Sequence, residues 1–182
     1  MDARDLRQEV RRAARGDGDA AGLLFDHYYP RVYRYALSKL GRAQDAEDIA
    51  AETFARVLRR LEDFRWRGAG FEPWIFRIAY NLVVDHYRGS GREQLTEEDE
   101  STPDEVTPED LYFQTESASE LSQMLNRLSN DQRDVLLLRF VAGLDTDEIC
   151  HVLGRNANAI RQLQFRALQT MRERMHGEDG HV

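Results

Sequence analysis

The sequence predicts an all-α protein built as two helical modules joined by an acidic linker. Three observations carry that prediction. Apolar residues recur at a 3.6-residue period over long stretches, with few β-branched runs and only four prolines in 182 residues. Ser, Asp and Asn caps and glycine stops punctuate those stretches. Charge is divided unevenly: residues 1–92 hold 17 Lys/Arg and 14 Asp/Glu (net +3), and residues 93–120 hold 11 Asp/Glu and no Lys/Arg. Residues 121–182 hold eight of each, so the net charge of −8 resides in the middle segment and says little about the flanking modules.

Residues 2–15 read as a charged amphipathic helix. A second helix runs from about Asp19 to Leu40, with Leu24, Tyr28, Val32, Ala36 and Leu40 spaced by four, and Pro30 is placed to kink it. A third spans about Gln44 to Leu61 and buries Ile49, Phe54, Val57, Leu58 and Leu61. The fourth, Phe71 to Arg88, puts Trp74, Ile75, Ile78, Ala79 and Leu82 on one face and Arg77, Asn81 and Arg88 on the other. Pro73 suits its first turn, where the missing N–H costs nothing.

The acidic stretch EQLTEEDESTPDEVTPED has two prolines and weak helical periodicity. It reads either as a solvated tether or as a competitor for a cationic surface. Some 20–25 extended residues reach at most ~65–90 Å, enough to hold two modules well apart. The second module opens with a helix around residues 116–127. Ser129 with Gln132 then makes a capping box for a helix that Gly143 ends, and Asp145 with Glu148 repeats the box for a short helix through Leu153. After Gly154, Asn156 caps a last helix to about Met175, with Ile160, Leu163, Ala167, Leu168 and Met171 as its buried stripe.

The last two helices form a helix-turn-helix, in which the start of the second helix enters the major groove. Its outward positions are Asn158, Arg161, Gln162, Phe165 and Arg166. Arginine pairs with guanine O6 and N7, and Gln or Asn with adenine N6 and N7. Phe165 either meets a thymine methyl or covers the module's flank, and a plain helical hairpin with a polar face is the bland alternative.

In the first module, Arg65, Trp66 and Arg67 precede the fourth helix and set two cations around an indole. With Arg77, Asn81 and Arg88 they offer what gripping phosphates and stacking on bases requires. An amphipathic core helix with an ordinary polar face accounts for the same stretch equally well. Asp45, Asp48 and Glu52 share a face near the third helix's N-terminus, where they complement the helix dipole or dock a basic protein surface.

The sequence argues against an enzyme. Its five histidines are scattered, and it has no phosphate-binding glycine loop and no nucleophile elbow. No cofactor or metal is expected. Cys150 is the only cysteine, which excludes an internal disulfide, and it reads as a buried thiol. No apolar run reaches 18 residues and the N-terminus lacks a signal peptide's apolar core, so membrane insertion is not expected and a cytoplasmic location is.

The pattern DAEDIAAETFARVLRRL followed by FEPWIFRIAYNLVVDHYR resembles the first conserved domain of bacterial sigma-70 family factors of the extracytoplasmic-function (ECF) group. LSNDQRDVLLLRFVAGLDTDEICHVLGRNANAIRQLQFRAL resembles their C-terminal promoter-reading domain. The resemblance implies a region 2-like bundle over residues 1–92, a linker over 93–115 and a region 4-like helix-turn-helix domain over 116–182. It implies binding to core RNA polymerase through the β′ clamp helices and the β flap, promoter DNA as ligand, and an anti-sigma factor as a further partner.

By position, Asp45, Asp48 and Glu52 match the polymerase-docking face, and Phe64 to Phe71 the loop that captures a flipped −10 base. Arg77, Asn81 and Arg88 match positions that hold the −10 strand, and Arg161, Gln162, Phe165 and Arg166 the −35 reading surface. Asn158 and Gln162 stand where small residues are usual, which implies an unusual −35 preference, and Leu163-Gln164 reverses the common polar-then-apolar order, which leaves the facing of that turn open. The resemblance also implies a linker that threads toward the polymerase's cationic channels. The near-neutral modules and acidic linker predict weak DNA binding by the free chain. The competing reading is an ordinary helix-turn-helix regulator acting as a homodimer on a palindromic site, for which no dimer helix is evident.

Overall fold

A computed structural model describes residues 3–66, 70–93, 124–125 and 127–178. Among them the elements are all helical: α1 (Ala3–Ala13), α2 (Gly18–Leu40), α3 (Ala43–Arg60), α4 (Phe71–Glu93), α5 (Asn130–Phe140), α6 (Thr146–Leu153) and α7 (Ala157–Glu178). Most of the helix expected at 116–127 and all of the acidic stretch after Glu93 lie outside the described residues.

The caps fall where the sequence puts them, because each satisfies backbone N–H groups that the first helical turn leaves open. The Ser129–Gln132 box starts α5, the Asp145–Glu148 box starts α6, and Asn156 Oδ1 accepts from the Ala159 N–H at 2.9 Å in the first turn of α7. Asp17 caps α2 by accepting from the Ala20 N–H at 3.1 Å and also receives the Arg12 guanidinium. Those two interactions, the backbone bond first, hold its carboxyl below the usual carboxylate range. Pro30 is exposed, and α2 runs through it to Leu40.

Two expected core residues are on the surface: Leu58 is 51% exposed and Leu168 is 40% exposed. Both sit at the edge of their apolar stripe, where one further step of the helix turns the side chain outward. Cys150 is half-buried rather than buried, on the flank of α6. Conversely Tyr35, Phe76 and Val83, which no simple spacing singled out, have no exposed surface. All three lie where α2 or α4 is covered on a second side.

That second cover is the other module. One continuous apolar cluster contains Tyr28, Tyr35, Phe76 and Val83 from the first module together with Val135, Leu138, Leu144, Ile149 and Ile160 from the second. Helix α4 packs along α6, and α2 meets α5. The separation that the linker's reach permits is therefore not the arrangement found: the modules are docked.

Among the described residues, four side chains donate across the seam: Arg31, Arg77, Arg133 and Lys39. Arg31 donates to the Ala142 carbonyl from Nε at 3.1 Å, Arg77 to the His151 carbonyl at 2.7 Å, and Arg133 to the Ser38 carbonyl at 2.7 Å. Lys39 Nζ lies 2.5 Å from Asp134 Oδ1, with 8% and 5% of the two residues exposed. The Tyr87 hydroxyl donates to the Lys39 carbonyl beside that pair. An ion pair so buried offsets a large desolvation cost only while both partners stay together.

Candidate nucleic-acid interface

The entrance of α4 is an aromatic nest. The Phe64 ring centroid lies 4.8 Å from Trp74, 5.2 Å from Phe71 and 5.3 Å from Trp66. Phe71 is 1% exposed and anchors the group, while Phe64, Trp66 and Trp74 are only partly covered. Gly70 makes the turn into α4 at φ +100°, a backbone conformation that side chains strain, and a Cβ there would come to 3.9 Å from the Trp66 ring.

Beside the nest is a recess of about 370 Å³ lined by Arg60, Asp63, Phe64, Arg65, Gly70 and Trp74. Two cations, a carboxylate and aromatic walls give it the means to stack on a flat ring, hydrogen-bond its edge and hold the adjoining phosphate. Arg65 donates to the Glu62 and Phe64 carbonyls at 2.8 and 3.1 Å, which stiffens the loop. Arg67 lies outside the described residues.

Arg7 of α1 and Arg60 at the end of α3 complete this region, and sequence spacing did not reveal either. The Arg7 guanidinium carbon stands 5.0 Å from the Trp66 ring centroid, a cation–π distance. Only the fold brings residue 7 to residue 66. From the recess, Arg77, Asn81 and Arg88 run along the exposed face of α4. At 1.5 Å per residue they extend the surface by roughly 16 Å.

The acids of α3 are partly satisfied within the chain. Asp45 lies 3.7 Å from both Arg42 and His86, and Glu52 is 2.7 Å from Arg56 and 3.2 Å from Arg59. The Arg56 hydrogen bond in particular lowers the Glu52 pKa from its ordinary value. Asp48 is exposed.

In the second module, Asn158, Arg161, Gln162, Phe165 and Arg166 are all exposed on α7, on one continuous surface. Phe165 is 69% exposed, so it does not cover the module's own flank. The Arg161 guanidinium lies 3.5 Å from Asn158 Oδ1, and the residue is exposed. Among the described residues no His/Cys/Asp/Glu group is arranged to hold a metal, and no helix is long and apolar enough to cross a membrane.

Comparison with known proteins fits this two-reader layout. The Sigma-70 region 2 family matches residues 24–93, and the Sigma-70, region 4 family matches residues 118–171. The chain is 34% identical over 174 residues to the ECF RNA polymerase sigma factor ShbA of Streptomyces griseus, covering 90% of this chain and 91% of that protein. It is 38% identical over 173 residues to the ECF RNA polymerase sigma factor BldN of Streptomyces coelicolor, covering 93% of this chain but 66% of that longer protein. The fold is shared with CnrH, solved in complex with the cytosolic domain of CnrY, at a TM-score of 0.73 and 23% identity over 95% of this chain and 98% of that one. It is shared too with the sigma factor RpoE of Bartonella quintana, solved with the anti-sigma factor NepR, at a TM-score of 0.68 and 22% identity over 84% and 94% of the two chains.

An all-helical pair of nucleic-acid-reading modules with these matches defines a transcription initiation factor. The chain belongs to the sigma-70 family, in its ECF group, and directs RNA polymerase to initiate transcription at specific promoters.

Proposed function

We propose that residues 1–92 bind core polymerase and open the −10 element, that 93–115 tether, and that 116–182 read the −35 element. The single observation that carries this division is the aromatic recess at the entrance of α4, continued along the same helix by exposed Arg77, Asn81 and Arg88. An extruded base enters the recess and stacks against Phe64 and Trp74, which Trp66 buttresses, while Arg65 and Arg67 hold the phosphates on either side. Arg77, Asn81 and Arg88 then track the separated strand. Stacking on each base is worth roughly 1–3 kcal/mol, enough to offset much of the cost of unpairing it.

The second module lays the start of α7 in the major groove. Arg161 and Arg166 pair with guanine edges, Gln162 and Asn158 with adenine, and Phe165 meets a thymine methyl. Asp45, Asp48 and Glu52 dock the clamp helices of the polymerase, exchanging the cations of α3 for those of the partner. The β flap meets the second module. An anti-sigma factor, the class of partner named with the Bartonella quintana RpoE structure, is a further binding protein. The protein has no catalytic chemistry of its own and works beside polymerase in the cytoplasm.

Run-off transcription on a genomic fragment library, with core polymerase in the presence and absence of the protein, tests this reading. Discrete new start sites that depend on the protein are expected, and they supply the promoter sequence. Tight palindromic binding by a homodimer without polymerase would instead establish an ordinary regulator.

A further inference from the structure

Helix α1 sorts its charges by face. Val10 is 2% exposed, and Leu6 and Ala13 pack against the same core, which fixes the rotation of the helix. Arg12 bridges Glu9 at 3.0 Å and Asp17, the α2 cap, at 2.8 Å, which ties that flank to the rest of the chain. At 3.6 residues per turn, Arg4, Arg7 and Arg11 fall within about 60° of one another, on the flank away from Asp5 and Glu9. All three arginines are exposed, and neither Arg7 nor Arg11 pairs with a carboxylate among the described residues. The Arg7 guanidinium carbon stands 5.0 Å from the Trp66 ring centroid, and Trp66 in turn meets Phe64, a wall of the recess.

We propose that α1 is a phosphate-binding arm of the −10 reader: Arg7 braces Trp66 and, in line with Arg4 and Arg11, holds the backbone of the strand whose base enters the recess. This rests on the reading of the recess as a base site. A guanidinium lies on an indole through its flat face, while its N–H donors stay available in its plane. Phosphate oxygens take those edges, often two at a time. Arg4 to Arg11 covers roughly 10 Å of the helix, so the side chains present a line of charge rather than a point.

A solvated cationic face explains exposure alone. It does not explain why the acids keep to the opposite flank, nor why the middle arginine sits on the indole that backs the recess. Base and backbone are then gripped by different elements. Aromatic rings between α3 and α4 take the base, and α1 takes the charge beside it. Each phosphate so neutralised adds about −0.7 to the slope of log affinity against log salt.

The test uses holoenzyme assembled on core polymerase and a labelled non-template strand carrying the −10 sequence found by run-off transcription. Anisotropy gives affinity across a salt series. Arg4→Gln combined with Arg11→Gln should flatten the slope by about 1.4, from about 0.7 for each contact. Uncharged methylphosphonates, placed one position at a time, should weaken the wild type beside the captured base and leave the double variant indifferent there. Arg7→Ala should lower both slope and affinity. Arg7→Lys should restore the slope but not the full affinity, because an ammonium keeps the charge and loses the flat stacking face.

An abasic site scanned through the strand reports separately on the recess. If one abasic position costs affinity while every variant keeps the wild-type slope and methylphosphonate pattern, the arm is overturned and the recess stands. If no abasic position costs affinity, the recess reading itself fails, and the arm with it. Weaker binding of the α1 variants to core polymerase, with the strand profile unchanged, would make the stripe a protein-docking face and overturn the arm as well.

Discussion

The hydroxyl of Tyr28 donates to Glu72 Oε1 at 3.0 Å, and the same oxygen receives Arg31 at 3.2 Å. Arg31 also reaches Glu72 Oε2 at 3.4 Å while its Nε holds the Ala142 carbonyl. One carboxylate at the start of α4 therefore orients both a buried phenol of α2 and the arginine that crosses to the second module. Glu72→Ala is expected to lower unfolding stability by about 2 kcal/mol, since it leaves a buried donor unsatisfied and frees a guanidinium. Glu72→Gln should cost less, because the amide oxygen still accepts from Tyr28. Urea denaturation of the two variants checks the order.

The same phenol makes an alkaline prediction. Burial, then the nearby Glu72 charge, pushes the Tyr28 pKa far up, and burial does the same to Tyr35. Folded values above the unfolded value of about 10 mean that the folded state holds these protons more tightly. Their contribution to stability is intact below about pH 10 and is lost as pH rises beyond it. Of the seven tyrosines, these two should ionise only together with loss of helical circular dichroism. Ionisation of all seven at 295 nm before that loss would contradict the burial.

Tyr35 offers a stabilising change. Its hydroxyl is buried and has no hydrogen-bond partner among the described residues. Its ring meets Phe76 edge-on at 6.1 Å, a contact that phenylalanine preserves. Tyr35→Phe should therefore raise stability by about 1 kcal/mol, the lower end of the cost of an unmet buried donor. A loss of stability in urea would mean that the hydroxyl is in fact satisfied.

Trp66→Ala and Asn81→Ala separate strand opening from assembly. Trp66 belongs to the aromatic nest and Asn81 to the exposed face of α4, both apart from the acids of α3. Permanganate footprinting on a duplex promoter should show opening reduced roughly tenfold or more, as loss of a stacking partner implies. Native-gel affinity for core polymerase should be nearly unchanged. Equal loss in both assays would point to damage to the fold.

Arg161→Ala should cost about 1–3 kcal/mol at one base position of the −35 element and relax preference there, as for a bidentate contact to guanine. Its exposed side chain carries little of the module's packing, so the melting temperature should hardly move. Selection of bound sequences from a randomised −35 pool reads the change. An unaltered preference removes this arginine from the reading surface.

How far the sequence reached follows from the range of the forces involved. Caps, glycine stops and helical stripes are local, and Ser129, Asp145, Asn156 and Gly70 act within a turn of where they stand in the chain. The outward positions of α7 follow from the same periodicity. The docking of the modules is not local. Lys39 and Asp134 are 95 positions apart, and each alone reads as an ordinary helix-surface charge. Tyr35 and Phe76 look like half-buried aromatics until the second module covers them. Leu58 and Leu168 failed for the opposite reason, since nothing among the described residues covers the edges on which they sit. Arg7 and Arg60 joined the α4 entrance only through packing of α1 and α3 around it.

The links across the seam also bear on how such chains diverge and how they are rebuilt. Of the four donors, Arg31, Arg77 and Arg133 end on main-chain oxygens, those of Ala142, His151, Ser38 and Lys39. A carbonyl keeps its place whatever side chain its residue carries, so substitution at those positions leaves the acceptor intact. Among these links, Lys39 and Asp134 must be inherited as a matched couple. A promoter-reading domain transplanted from a relative would thus be received by Arg31 and Arg77 through its main chain, provided that it brings an arginine at position 133 and an acid at 134 to meet Lys39.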